Sequence, residues 1–139
     1  VIIHESDMTP GLANKLSLPF ARKICYTFPE TEKHISKEKG ILTGLPVRSS
    51  LLSGKAGEGK KLCGFEEGKP VVVITGGSQG SVTLNKAIKD TLNQLKERFQ
   101  ICHICGKGNM DLSLNNIEGY KQFEYISDEL PHIFAMADV

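Results

Sequence analysis

No stretch of the 139-residue sequence approaches the roughly 20 consecutive apolar residues that cross a bilayer as a helix. None reads as a secretory leader with basic, apolar and small-residue regions, so the chain is expected to be soluble. An excess of one charge is also missing. Seventeen basic residues face sixteen acidic ones, which removes any global electrostatic case for a nucleic-acid partner. Cysteine is sparse and scattered, at positions 25, 63, 102 and 105. Without secretory context these read as reduced thiols of a cytosolic protein. Cys102 and Cys105 form one CxxC, but FQICHICG has the pattern of a strand, and the second cysteine pair that a zinc site wants is lacking. Neither a metal nor a cofactor is expected.

The most informative segment is PVVVITGGSQGS, residues 70–81, an apolar and mostly β-branched run that ends in a glycine-rich turn and opens into an amphipathic stretch. The pattern predicts a buried parallel strand delivering its carboxyl end to a helix N-terminus. Free N–H groups and the positive end of the helix dipole favour an anion there. Gly76, Gly77 and Gly80 permit close backbone approach, and Ser78 and Ser81 supply hydroxyls, so the turn is a candidate phosphate cradle. No lysine follows Gly80, which excludes a Walker loop, and the adjacent Gly76 and Gly77 do not fit the dinucleotide fingerprint.

Around this segment the sequence predicts α/β architecture. Strands are expected at VIIHE, ICYTF and 41–43. Thr9 and Pro10 are expected to start a helix whose Leu12, Ala13, Leu16 and Phe20 face the core, and which Pro19 ends near Ser17 or Leu18. The small and charged stretch after Arg48 reads as an interdomain connection. From about Leu62 the order is strand 70–75, helix about 80–97, strand about 99–105, a polar loop, strand about 120–126 and helix about 128–137, which indicates a parallel sheet. Val82, Leu84, Ala87, Ile88, Leu92 and Leu95 form the packing stripe of the long helix. The Gly106-Lys107-Gly108 turn follows a strand at the same sheet edge as the cradle, where two readings are open, pocket lining and plain loop, and glycine-lysine turn chemistry favours the second. Val1-Ile2-Ile3 begins like a strand already under way, and a piece of a longer protein is expected.

Three separated motifs then line up: HESD with TPGLANK (4–7 and 9–15), GLPVR (44–48) and GGSQGSVTLNK (76–86). In order and spacing they resemble the MurG family, bacterial N-acetylglucosaminyltransferases that make lipid II for peptidoglycan. The resemblance implies a GT-B glycosyltransferase fold with Rossmann-like parallel sheets. Residues 1–48 would end the acceptor domain, 49–62 would link, and 63–139 would begin the donor-binding domain.

It also implies donor-binding roles for Asp7, Arg48, Gly76, Gly77, Ser78, Gln79, Gly80 and Asn85, and catalytic roles for His4 and Glu5 at the acceptor side. Two positions depart from the family pattern: Asp7 stands where an asparagine is usual, and Leu45 replaces the asparagine of G-N-P-V-R. The implied partners are UDP-N-acetylglucosamine and lipid I. The implied location is the cytoplasmic face of the bacterial membrane, with peripheral contact through parts outside this chain. Because the family's glycine-rich base loop and its ribose-gripping acid are expected outside residues 1–139, the isolated chain is expected to be inactive. Open strand edges would allow it to self-associate. Two other functions fit the same residues, a UDP-N-acetylglucosamine 2-epimerase-like enzyme and a non-catalytic nucleotide-sugar module completed by another chain.

Overall fold

The structure is a computed structural model that describes residues 1–77 and 79–139. It divides into two compact units, Val1–Val47 and Arg48–Val139.

In the first unit, strands β1 (Ile2–Glu5), β2 (Lys23–Tyr26) and β3 (Gly40–Leu42) form a parallel sheet in that order, with Ile3 opposite Ile24 and Cys25 opposite Ile41. Ala21, Ile24, Tyr26 and Ile35 make its core. Helix α1 (Leu12–Ser17) stops where Pro19 requires, passing into a 3-10 turn at Leu18–Phe20. Two expectations fail here. The cap is Gly11, with no side-chain cap, instead of Thr9. The apolar stripe is not core, because Leu12, Leu16 and Phe20 are exposed. The cause is Asn14, whose amide donates to the His4 carbonyl at 3.0 Å and to Glu5 Oε2 at 2.8 Å. Pinning Asn14 to the sheet turns residues two positions away on either side, Leu12 and Leu16, outward, since each residue advances about 100° around a helix.

The second unit has three layers. Strands β4 (Val71–Thr75), β5 (Gln100–Ile104) and β6 (Tyr120–Phe123) form a parallel sheet in the order β4-β5-β6. Every residue of β5 is buried, as expected of a strand covered on both faces. One face carries α3 (Val82–Arg98), with Ile88 and Leu92 packed on Ile101 and Tyr120. Burying each of these two side chains stabilises by about 1.5–3 kcal/mol. Val82 and Ala87 are exposed, contrary to the expected stripe. At about 100° per residue both lie a quarter-turn or more from Ile88.

The other face carries α2 (Ala56–Cys63) and α4 (Leu130–Met136), around Cys63, Cys102, Ile104, Ile133 and Met136. The stretch 49–62, read from sequence as a connection, is folded: a 3-10 turn at Ser49–Ser53 leads into α2. A Cβ on Gly59 would lie 2.3 Å from the His132 carbonyl oxygen, and one on Gly54 1.9 Å from that of Pro131. These glycines therefore let the segment lie directly on the α4 backbone.

Residues 138–139 run beside β4 on the edge that β5 does not occupy. Asp138 N donates to the Val71 carbonyl and Val73 N to that of Val139, while Asp138 Oδ2 accepts from Val71 N at 2.8 Å. The chain thus builds outward from β4 through β5 and β6, then returns to its other side. The carboxyl end of β4 is a topological switch point, where open α/β sheets hold their ligands.

Candidate functional site

The glycine turn sits at that switch point. Gly77 and Gly80 have φ of 79° and 74°, in the left-handed region that favours glycine. Gly80 N donates to the Gly77 carbonyl at 3.0 Å, closing the turn, and Gly77 N donates to Thr75 Oγ1 at 3.3 Å. A Cβ on Gly76 would lie 2.6 Å from Ser81 N, and one on Gly80 only 2.0 Å from the Cys105 carbonyl oxygen. Ser81 caps α3, its Oγ accepting from Leu84 N at 3.3 Å. Ser78, the residue expected to bind diphosphate most directly, lies outside the described residues.

Gly106 corrects the plain-loop reading of its turn. It is buried at φ 89°, and a Cβ there would lie 2.4 Å from Gly80 N. The Gly80 and Gly106 backbones are therefore in direct contact, and Asn109 Nδ2 adds a hydrogen bond to the Gln79 carbonyl at 3.3 Å. Gln79 itself is exposed.

Beside the turn lies a cavity of about 250 Å³ lined by Arg48, Thr75, Gly77, Ile104, Tyr125, Ile126, Ser127, Leu130 and Phe134. Arg48, exposed at the start of this unit, and Gly77 thus line one cleft. Its apolar wall from the β6–α4 connection was missed from sequence. The available signal was that the carboxyl ends of parallel β4, β5 and β6 must share an edge. A larger cavity, about 530 Å³, lies at the opposite edge among Glu66, Glu67, Lys69, Lys96, Gln100 and Glu118. Its three carboxylates outnumber its two lysines, and Lys69 Nζ is engaged by the Lys96 carbonyl at the carboxyl end of α3, so the lining has no excess of positive charge for an anion. Its buried Gln100 amide is occupied by Glu66 and Lys69 backbone groups.

Asn85 does not point into the cleft. Its Nδ2 donates to the Cys105 carbonyl at 2.9 Å, and its Oδ1 lies 2.9 Å from His103 Nε2.

In the first unit, His4 and Glu5 end β1. His4 Nε2 lies 3.2 Å from the Gly44 carbonyl, to which it donates, and its Nδ1 lies 3.4 Å from Ser6 Oγ. Glu5 is buried, and its carboxylate accepts from Asp7 N at 2.9 Å, Gly11 N at 3.0 Å and Asn14 Nδ2. Burial pushes this carboxyl up, but hydrogen bonds from Asn14 and from the N–H groups of Asp7, Gly11 and Ser6 outweigh it and hold its pKa below the ordinary 4.5. Glu5 is a fixed anion that shapes the turn into α1. Asp7 is exposed, with its carbonyl accepting from Thr31 Oγ1.

The sequence matches the family model "Glycosyltransferase family 28 C-terminal domain" over residues 71–139. It is 55% identical over its whole length to the UDP-N-acetylglucosamine--N-acetylmuramyl-(pentapeptide) pyrophosphoryl-undecaprenol N-acetylglucosamine transferase of Clostridium tetani. The enzyme of the same name from Geobacillus kaustophilus is 52% identical over 99% of the chain. The chain belongs to the MurG family. The crystal structure of Acinetobacter baumannii MurG superposes on 99% of the chain, with a TM-score of 0.59 at 22% identity, and supports the same α/β fold; the match spans 38% of that structure. The chain spans 39% of the length of both curated relatives. Among the described residues, no helix is long and apolar enough to cross a membrane.

Proposed function

We propose that this chain contributes the diphosphate-binding part of a glycosyltransferase that moves N-acetylglucosamine from its UDP donor to the muramyl 4-hydroxyl of lipid I, with inversion at the sugar. The observation that carries the reading is one cleft holding Arg48 and the glycine turn, at the carboxyl end of β4 beside the start of α3. Ser78 and the positive end of the α3 dipole would take the diphosphate, the Gly77 and Gly80 N–H groups being bound within the turn. Arg48 would pair with phosphate or uracil oxygens, stabilising the charge that develops on departing UDP. Asn85 supports that cradle from behind.

Within the first unit, the proposal gives His4 the proton-handling role, Glu5 the task of holding the β1 turn, and Asp7 a place near the donor sugar. It takes residues 1–48 as the end of the acceptor domain and 63–139 as the beginning of the donor domain, with 49–62 between them. The enzyme would work at the cytoplasmic face of the membrane, where lipid I is presented.

The test is calorimetric titration of the full-length protein with UDP and UDP-N-acetylglucosamine, followed by transfer of labelled sugar to a lipid I analogue. Saturable binding that Arg48→Ala weakens supports the reading. Absence of UDP binding by folded protein refutes it.

A further inference from the structure

We propose that His103 is a positioning residue. As a neutral imidazole carrying its proton on Nε2, it orients the Asn85 amide that fastens the first turn of α3, and with it the glycine turn, to the carboxyl end of β5.

His103 is the penultimate residue of β5, is 3% exposed and faces α3 through Asn85. Its two ring nitrogens meet Asn85 Oδ1 at 2.9 Å and Tyr120 Oη at 3.0 Å. The donors and acceptors resolve one way. The Cys105 carbonyl can only accept, so the Asn85 nitrogen faces Cys105 and its oxygen faces His103. An amide oxygen can only accept, so His103 Nε2 carries a proton. In the neutral ring Nδ1 is then an acceptor, and the Tyr120 hydroxyl donates to it. Burial, the leading cause, pushes the Tyr120 phenol up to about 12, so its proton is in place at neutral pH. Burial also lowers the His103 pKa, favouring the uncharged ring.

The far end of this chain of bonds is the Cys105 carbonyl, which receives the Asn85 amide and stands against Gly80 where a Cβ would be 2.0 Å away. One carbonyl thus meets the start of α3, the end of β5 and the glycine turn. If the Asn85 amide flipped, its oxygen would face that carbonyl and two acceptors would repel. The protonated Nε2 of His103 prevents the flip, because only the observed orientation gives it an acceptor.

This inference rests on the proposed function only for its effect on ligand. Three measurements on the full-length protein test it. Nitrogen-15 spectra of the wild-type imidazoles at neutral pH are expected to show His103 protonated at Nε2 alone; protonation at Nδ1 alone, or at both nitrogens, overturns the proposal. Amide hydrogen exchange at Gly77 and Gly80 is expected to speed up about tenfold in His103→Leu and to return toward wild type in His103→Gln, whose amide can still donate to Asn85. Affinity for UDP is expected to follow the same order, falling about tenfold in His103→Leu and recovering in His103→Gln. Exchange within twofold of wild type in folded His103→Leu overturns the positioning role. Were wild type not to bind UDP, the proposed function would fail, and the spectra and exchange would still decide this inference. Should His103→Leu not fold, the wild-type spectrum decides.

Discussion

A pair of alanine substitutions in the glycine turn separates backbone strain from crowding. Gly77 and Gly80 have nearly the same φ, 79° and 74°. Giving either a Cβ in the left-handed region costs about 1–2 kcal/mol. Around Gly77 nothing lies within 4 Å of the added carbon, so Gly77→Ala bears that strain alone. At Gly80 the added carbon would lie 2.0 Å from the Cys105 carbonyl oxygen and 2.9 Å from its carbon. Ordinary contact needs about 3.5 Å, so the turn must move by more than 1 Å, against a strand buried on both faces. Overpacking of this kind adds about 1–3 kcal/mol, so Gly80→Ala should be destabilised by about 2–5 kcal/mol in total. Urea denaturation followed by circular dichroism reads both values. UDP titration should show the larger loss for Gly80→Ala, because displacing the turn shifts the start of α3 beside it. Equal denaturation midpoints for the two variants would refute the close approach of Gly80 to β5.

Arg48→Ala should weaken UDP binding by about 1.5–3 kcal/mol, read by calorimetry, with a smaller loss at high salt because the group is exposed and screened. Glu5, its pKa held below 4.5, contributes stability that is present above 4.5 and is lost as pH falls through the lowered value. Acid denaturation followed in the first unit should show that component, and Glu5→Gln should remove it. For His103 the unfolded ring binds its proton near 6.5 and the folded ring only at lower pH, so stability should decline as pH drops below 6.5, with a flatter profile in His103→Gln. Asp7→Asn, at an exposed carboxylate, should change stability by less than about 0.5 kcal/mol while tightening UDP-N-acetylglucosamine binding at low salt. Unaltered donor kinetics across ionic strength would remove Asp7 from the donor site.

The strand–turn–helix unit at 71–98 was legible because three local signals agree there: a β-branched run, glycines at a turn, and a period near 3.6 after it. Pro19 likewise marked the end of α1 by its own chemistry. What escaped depended on partners distant in sequence. AGEGKKLC, with two glycines, has weak helix propensity, and one of them, Gly59, lets the segment lie as α2 against the α4 backbone. The outward face of α1 followed from Asn14, a polar residue whose attachment to β1 outranks the apolar periodicity. The inward turn of Asn85 was latent in the pattern. It lies three residues before Ile88, about 60° around the helix, and so on the packing face. Motif matching drew it to the ligand instead. Gly106 gave no local sign, since its neighbour Gly80 is 26 positions away.

The glycine seam between α2 and α4 also acts as a mechanical stop. Helix α4 begins at Leu130, and Leu130 and Phe134 belong to the cleft wall, whereas Gly59 touches the same helix from behind, at His132. A methyl group at position 59 would act as a wedge, driving that wall toward or away from the bound molecule without touching it. The width of the cleft is therefore adjustable from the back of the unit, and substitutions at Gly54 and Gly59 are places where stability and ligand preference would change together.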